Sequence, residues 1–146
     1  MEKEIKITDE QLKTEVTTAR RFILGGKSEF TIENLSTGTY YKYKVVKSKD
    51  NENLFFVRVM GENGKWFYAG YLNLQHGWYR QGQNGKLGPD TPQIRGLLYA
   101  LRREEGLPRP MILMHHGRCA CCGHKLNDPI SVARGIGPDC WKKRGF

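Results

Sequence analysis

The sequence lacks any run of 18 or more apolar residues, so it predicts no membrane-spanning helix. Its first residues, MEKEIKITDEQ, are charged and lack the apolar stretch of a secretory signal. Cysteine is missing from the first 118 residues, and all four cysteines lie between residues 119 and 140. These absences predict a cytoplasmic protein with no membrane partner. Because the cytoplasm is reducing, they also disfavour disulfide bonds.

Acidic residues are scarce in the second half of the chain. Residues 1–73 contain twelve Lys and Arg against ten Asp and Glu, whereas residues 74–146 contain twelve against five. The whole chain has a net charge of +9. Such an excess of positive charge indicates a polyanionic partner, of which nucleic acid is the commonest. A solvated basic surface that only aids solubility is the alternative interpretation.

Two segments have the apolar spacing of amphipathic helices. The first covers residues 8–26, with Thr8 as its candidate N-cap and two glycines at its end. The second covers residues 92–105, where Pro92 suits the first helical turn. The apolar stripes consist of Leu12, Val16, Ala19 and Ile23 in the first segment and Ile94, Leu97, Leu98 and Leu101 in the second.

Between these helices, residues 30–81 contain short runs of β-branched and aromatic residues divided by turn residues. The runs predict four or five antiparallel strands in a meander, and the Asn63-Gly64 pair is typical of a hairpin turn. Alternation along the runs predicts one apolar face and a second face that mixes aromatic with basic side chains. The basic residues of that second face are Lys42, Lys44 and Arg58.

The mixed face has two interpretations. Exposed aromatics can stack with bases while Lys and Arg follow phosphates, as on the sheets of single-strand binders. Alternatively, the face is partly covered and its lysines protect the sheet against edge pairing. The residues by themselves favour the second interpretation, since no ribonucleoprotein signature motif is present.

The C-terminal cysteines have the spacing of a metal site. Cys119 and Cys122 form a C-x-x-C turn followed by glycine, which allows two thiolates to bind one ion. Cys140 follows Gly-Pro-Asp in the first turn of a predicted helix, whose N-terminus stabilises a thiolate. A structural zinc ion needs a fourth ligand, and the spacing favours His115. The alternatives for the fourth ligand are His116, His124 and Cys121.

Other uses of these cysteines fit the sequence less well. A redox dithiol needs a βαβ context, which the strand pattern does not predict. A nucleophilic thiol needs a base and an orienting group, and a catalytic zinc needs an open position with an acidic base nearby. Asp128 and Asp139 are the acidic residues of this segment, and Asp139 suits a helix N-terminus better than catalysis. We therefore expect a structural metal, with Cys121 directed away from it, and no enzymatic activity.

Residues 115–140 resemble the C-terminal signature of a phage and prophage protein family of unknown function. The signature is H-x-G-R-C-x-x-C-G-x-x-L-x-x-P-x-S-[IV]-x-x-G-I-G-P-x-C, and the resemblance extends over about residues 30–146. It implies a fold and a viral origin but no activity, and it aligns the leading histidine with His115. The matching residues are His115, Gly117, Arg118, Cys119, Cys122, Gly123, Leu126, Pro129, Ser131, Val132, Gly135, Ile136, Gly137, Pro138 and Cys140.

Together these features predict an α+β fold with an N-terminal helix, an antiparallel meander, one further helix and a C-terminal zinc knuckle resembling a treble clef. In this prediction residues 1–108 form the first unit and residues 109–146 form the zinc-binding module. The module is too short to bury a sufficient core without its metal. The predicted metal ligands are His115, Cys119, Cys122 and Cys140.

Two functions of different class fit this architecture. The first is a nucleic-acid-binding accessory protein with structural zinc, whose binding weakens as the salt concentration rises. The alternative is a phage protein that binds and blocks a host defence protein through its basic face, in the host cytoplasm. The predicted phosphate contacts are Arg118, Arg134, Lys142, Lys143 and Arg144 in the module and Lys42, Lys44 and Arg58 on the sheet.

Overall fold

A computed structural model describes Glu15, Val16 and residues 18–143, and within them six antiparallel strands form one sheet. The strands are β1 (Lys27–Asn34), β2 (Tyr40–Lys47), β3 (Leu54–Met60), β4 (Trp66–Asn73), β5 (Tyr79–Arg80) and β6 (Met111–His115). Their spatial order is β5-β4-β3-β2-β1-β6. The first five strands therefore form the predicted meander, and β6 pairs with the remaining edge of β1.

Four short helices accompany the sheet in the described part of the chain. They are α1 (Ala19–Ile23), α2 (Pro92–Leu101), α3 (Pro129–Arg134) and α4 (Pro138–Lys143). The predicted α+β class is confirmed, although neither β6 nor α3 was predicted. None of the described helices is long and apolar enough to cross a membrane.

Among the described residues, α1 covers only the last part of the segment that the apolar stripe predicts as helix, because Glu15 and Val16 are not helical. Glu15 forms a bridge with β6, and the Val16 N–H donates to Leu113 O at 2.8 Å. The edge of β6 offers backbone hydrogen bonds that compete with helix formation at these positions. Consequently α1 begins only at Ala19. The predicted N-cap, Thr8, lies outside the described residues.

Local sequence signals correctly predicted the start of one helix and the position of one hairpin turn. α2 begins at Pro92, and it ends at Leu101, a few residues before the predicted end. The hairpin between β3 and β4 turns at Asn63-Gly64, where Gly64 has a φ of +76°. Glycine adopts positive φ without the steric cost that a Cβ atom imposes, which is why this pair specifies the turn.

The hydrophobic core lies on the face of the sheet that α1 and α2 cover. The ring of Phe22 contacts that of Phe30 edge-on at 6.0 Å, and Phe30 stacks on Tyr43 at 5.2 Å between ring centroids. The Tyr43 hydroxyl donates to Gln93 O at 2.7 Å and joins β2 to α2. The buried strand residues of this predicted apolar face include Tyr43, Val45, Phe55, Val57 and Val59.

The opposite face of the sheet, called the outer face here, carries the alternate residues of the same strands. Directly opposed residues of antiparallel strands lie on the same face, so the pairing register assigns its members. Lys44 pairs with Arg58, and Arg58 pairs with Tyr68. The side chains of the outer face include Lys42, Lys44, Phe56, Arg58, Tyr68 and Tyr71.

The C-terminal segment packs against α1 and the start of β1. The Lys27 N–H donates to Ala120 O at 2.7 Å. Gly135 ends α3 with a φ of +73°, and a Cβ atom there would lie 2.6 Å from the ring of Phe22. One hydrophobic cluster therefore contains residues from both predicted units. Its members from the C-terminal segment include Ala120, Leu126, Val132 and Ile136.

Candidate metal centre

The C-x-x-C sequence lies on a tight hairpin that follows β6. The Cys119 N–H donates to His124 O at 2.8 Å, and the Leu126 N–H donates to Gly117 O at 2.8 Å, so the two arms pair. The Gly123 N–H donates back to Cys119 O at 2.9 Å and closes the turn. The backbone hydrogen bonds of this short segment therefore position its cysteines without a long strand on either side.

Cys140 reaches the hairpin through α3 and the loop that follows it. Asp128 caps α3 by accepting a hydrogen bond from the Ser131 N–H at 3.0 Å. After Gly135 ends α3, the chain turns through Gly137 into α4, and Cys140 lies in the first turn of that helix. The Asp-Pro pair before α3 is a typical helix start, a signal that the sequence contained.

Three thiol groups meet between the hairpin and α4. The Sγ atoms of Cys119, Cys121 and Cys140 lie within 4.8 Å of one another. The Cys119 Sγ also accepts hydrogen bonds from the backbone N–H of Cys121 at 3.4 Å and of Gly137 at 3.2 Å. Hydrogen bonds of this kind favour the thiolate over the thiol. This group of cysteines can hold a metal ion.

Negative charge is distributed unevenly over these thiols. The side-chain hydrogen bond from Cys121 lowers the pKa of Cys119 to about 4, and the backbone N–H of Gly137 acts in the same direction. The pKa of Cys140 is raised to about 11, chiefly by burial and in addition by the neighbouring sulfurs of Cys119 and Cys122. One thiolate is therefore favoured, while a second beside it is opposed by repulsion between like charges. A divalent cation among the sulfurs would remove that repulsion.

Cys122 lies at the same place in the fold as the three-thiol group. It borders the cleft that Cys119 and Cys140 also line, and it contributes to the raised pKa of Cys140. All four cysteines therefore converge. Cys121, which was expected to point away from a shared ion, belongs to the three-thiol group. The sequence signal for its involvement was the presence of three cysteines within four consecutive residues.

His115, the predicted fourth ligand, has other partners on both ring nitrogens. It is completely buried, its Nδ1 accepts a hydrogen bond from the Gly117 N–H at 2.9 Å, and its Nε2 bonds to Val132 O. A carbonyl oxygen can only accept, so Nε2 carries the proton. Burial lowers the pKa of His115, which favours this neutral form. In the structure His115 joins β6, the hairpin and α3, and it is not a member of the three-thiol group.

His116 links the start of the hairpin to the sheet. Its Nε2 lies 2.7 Å from Thr31 Oγ1, and its Nδ1 lies 3.0 Å from Glu29 Oε2. The hydrogen bond from His116 is the main cause of the lowered pKa of Glu29. A hydroxyl, an imidazole and a carboxylate in this order also form the triad of nucleophilic enzymes. Thr31 is only 7% exposed, however, so its hydroxyl has little access to a substrate. His124, in contrast, is exposed on the hairpin.

The predicted phosphate contacts of the C-terminal segment lie on the hairpin and on the last two helices. Arg118 is exposed on the hairpin, whereas Arg134 is half-buried with its guanidinium 4.0 Å from the ring centroid of Trp141. Lys142 and Lys143 are exposed in the last turn of α4. The exposed members can therefore reach a phosphate without disturbing the packing, while Arg134 already has an aromatic partner.

The remaining predicted phosphate contacts lie on the outer face, apart from Arg144, which is outside the described residues. Lys42 and Arg58 are exposed. Lys44 is half-buried, with its Nζ 4.5 Å from the ring centroid of Trp66. The structure therefore brings the sheet residues together on one surface, as alternation along the strands predicted.

Comparison with known protein families gives a match over the cysteine-containing segment. The profile of a family of unknown function, DUF6011, matches residues 114–145. This stretch contains the hairpin, all four cysteines, α3 and α4, and it leaves out the first five strands. No curated protein and no solved structure matches the chain. Over its cysteine-containing segment, the chain is therefore similar to the DUF6011 family of unknown function.

Proposed function

We propose that the C-terminal segment holds a structural zinc ion and that the protein binds nucleic acid through its basic surfaces. The observation that carries the metal assignment is the convergence of the cysteines on Cys119 Sγ, which already accepts two backbone hydrogen bonds. Thiolates suit zinc. Zn–S bonds of about 2.3 Å separate tetrahedral sulfurs by about 3.8 Å, so the group, whose sulfurs lie within 4.8 Å, needs to contract by at most about 1 Å.

The zinc ion would supply stability that the segment cannot obtain from burial. Few large apolar side chains of this segment are buried, and its helices are only six residues long. Because the metal would cross-link the hairpin to α4, metal binding would be coupled to the folding of this segment. Structural zinc sites are closed by four protein ligands, so the proposal assigns no catalytic role to the ion.

The ligand set that we favour consists of the four cysteines. For His115 to bind the ion, it would have to break one of its two buried hydrogen bonds. The freed backbone group would then be unsatisfied, at a cost of about 1–3 kcal/mol. Cys121 already lies in the three-thiol group, and Cys122 borders the same cleft. The set predicted from sequence, with His115 in place of Cys121, is the competing assignment.

Cobalt substitution distinguishes these two ligand sets. We expect the Co²⁺-loaded protein to show the charge-transfer intensity of four thiolates, and His115→Asn to preserve it because Asn can retain hydrogen bonding at this site. Cys121→Ser should reduce that intensity by about a quarter, since one thiolate of the four is removed. His124→Asn, on the exposed side of the hairpin, is the matched control. An intensity unchanged in Cys121→Ser but altered in His115→Asn would favour the histidine ligand.

The nucleic-acid part of the proposal is supported by charge. The chain has a net charge of +9, and the exposed residues Arg118, Lys142 and Lys143 lie on the segment that zinc would rigidify. Each phosphate contact releases bound counterions, so affinity should fall steeply as salt concentration rises. A phage or prophage origin is part of this proposal, and its support is the resemblance of residues 115–140 to the signature of that protein family.

Fluorescence anisotropy tests this binding. Labelled single-stranded DNA, single-stranded RNA and duplex DNA would be titrated with zinc-loaded protein at two salt concentrations. The triple variant Arg118→Ala, Lys142→Ala, Lys143→Ala should bind all three probes more weakly and with a smaller salt dependence. A variant with equal charge loss elsewhere, Lys49→Ala, Lys86→Ala, Arg102→Ala, is the control. Absence of binding to every probe at low salt would contradict the proposal and favour the host-protein alternative.

A further inference from the structure

One row of side chains crosses five strands on the outer face. The pairing register runs from Arg80 through Tyr71, Phe56 and Val46 to Lys27. Opposed residues of this kind have Cβ atoms about 4.5–5.5 Å apart, so the row is continuous. Phe56 and Val46 are 40% and 38% exposed. The row is therefore a strip of aromatic and aliphatic surface with a cation at each end.

A second row lies beside the first and adds aromatic rings next to cations. Arg58 faces Tyr68 on β4 and Lys44 on β2. The rings of Phe56 and Tyr68 lie 6.4 Å apart at a tilt of 58°, which connects the two rows. A base can stack on an aromatic ring while a neighbouring guanidinium or ammonium meets the phosphate that follows it.

Cations outnumber acids on the outer face of the described structure. The acids of β1 on this face are Glu29 and Glu33. The Glu29 carboxylate is already engaged, with Lys44 Nζ at 3.5 Å and His116 Nδ1 at 3.0 Å. A polyanion is therefore attracted to this face. The cations of the outer face are Lys27, Lys42, Lys44, Arg58 and Arg80.

The dimensions of the first row suit an unpaired strand. Four inter-strand steps of about 4.8 Å give a length of about 19 Å, enough for a few nucleotides. Stacking on the exposed ring of Phe56 requires the free face of a base, which a duplex hides within its own stack. A partner that offered only apolar surface would leave the cations of both rows without counterparts.

We propose that the outer face binds a single strand of nucleic acid, with bases stacked on Phe56 and Tyr71 and phosphates held by Arg58, Arg80 and Lys27. This inference rests on the proposed nucleic-acid binding. It specifies that the bound strand is unpaired and that the outer face is the surface that binds it. DNA and RNA share the chemistry that this face recognises, namely free base faces joined by phosphates.

A single aromatic substitution tests the inference. Phe56→Ala should weaken binding to single-stranded probes about 5- to 100-fold, because one base loses its stacking partner, and should leave any duplex binding unchanged. Phe56→Trp should restore the affinity. Leu35→Ala is the matched control, since Leu35 is 49% exposed but lies in the loop after β1. Thermal melting of each variant confirms that the exposed substitution leaves the fold intact, and DNA and RNA probes of equal length distinguish the two sugars.

Ultraviolet cross-linking of a halogenated single-stranded probe locates the contact. Cross-links on peptides from β3 and β4, lost in Phe56→Ala, would support the inference. Wild-type single-strand affinity in Phe56→Ala, or cross-links confined to residues 118–143, would overturn it while leaving the proposed nucleic-acid binding intact. If no probe binds at low salt, the inference and the proposed function both fail.

Discussion

The sheet and the cysteine segment are stabilised in different ways. The sheet with α1 and α2 buries large side chains such as Phe22, Phe30 and Tyr43 completely. Full burial of one such side chain contributes about 1.5–3 kcal/mol, and many act together. The cysteine segment buries few large apolar side chains, but it brings three cysteines together with Cys122 at the same cleft and contains a network of backbone hydrogen bonds. The first region therefore depends on many small contributions, whereas the second, in the function proposed above, depends on the binding of one metal ion.

The boundary between the two regions is where their stabilities are connected. The ring of Phe22 contacts that of Phe30 in the sheet core and lies 6.2 Å from the ring of His115, between centroids. A Cβ atom at Gly135 would lie 2.6 Å from the same Phe22 ring. We therefore expect a perturbation at Phe22 to affect both regions and a perturbation at the proposed metal to affect only the cysteine segment. The following predictions use this difference, in order of decreasing effect.

Removal of the proposed zinc ion should have the largest effect, and the effect should be confined to the cysteine segment. With a strong chelator we expect residues 117–141 to lose their protection from hydrogen exchange, because their apolar burial cannot offset the entropy of ordering the segment. β2, β3 and β4 should keep their protection. Hydrogen-exchange mass spectrometry with and without chelator measures both. Equal protection in the two states, or equal loss in both regions, would contradict a structural zinc confined to this segment.

Phe22→Ala should destabilise both regions at once. Loss of a fully buried phenylalanine costs about 3–5 kcal/mol, and the cavity would open between the sheet core and the ring of His115. Urea denaturation gives the free energy of unfolding, and hydrogen exchange shows where protection is lost. Val57→Ala, within β3, should lower protection in the sheet without the same effect near the hairpin. Unchanged protection of the hairpin in Phe22→Ala would show that the regions are independent.

Gly135→Ala should cost about 2–4 kcal/mol, because it combines an unfavourable left-handed conformation with crowding against Phe22. Gly38→Ala is the matched control. Gly38 has a φ of +75°, and nothing lies within 4 Å of a Cβ atom built there, so only the conformational cost of about 1–2 kcal/mol applies. The difference between the two losses in denaturant unfolding measures the packing between the regions. Equal losses of stability in the two variants would mean that the ring of Phe22 moves away from the added methyl group at no cost.

Glu29→Gln should have the smallest effect, below about 1 kcal/mol, since the contacts of Glu29 with Lys44 and His116 are partly screened by solvent. The pKa of Glu29 is lowered in the folded state, chiefly by the hydrogen bond from His116. The contribution is therefore present above the ordinary glutamate pKa of about 4.3 and is lost as pH falls through the lowered value. Unfolding at pH 7 and pH 3 checks this, with Glu62→Gln as control. An equal deficit at both pH values would contradict it.

Much of the fold was predictable because its signals are local. The Asn63-Gly64 turn, the start of α2 at Pro92 and the buried alternation of β2 and β3 all depend on residues close together in the chain. β6 was not predictable in the same way, because its partner β1 lies about eighty residues earlier in the sequence. The hydrogen bond from the Val16 N–H to Leu113 O, which takes Val16 out of the predicted helix, was unpredictable for the same reason.

The cysteine cluster was predictable in composition but not in arrangement. Spacing indicated that cysteines from a C-x-x-C turn and a later helix would meet, and Cys119 and Cys140 do. Spacing could not indicate that Val132 O and the Gly117 N–H would form hydrogen bonds with the two ring nitrogens of His115. The path of α3 brings Val132 O close to that ring. Buried hydrogen-bond partners depend on the three-dimensional path of the chain.

The sequence by itself determined the fold class, the confinement of all cysteines to residues 119–140 and the excess of positive charge in the second half. These properties follow from composition and from periodicities of two to four residues. Only the tertiary structure decided which sulfurs meet, which partners His115 takes, and that Arg80, Phe56 and Lys27 share one row. The physical reason is that strand register and the return of α4 to the hairpin are set by contacts between residues far apart in the chain.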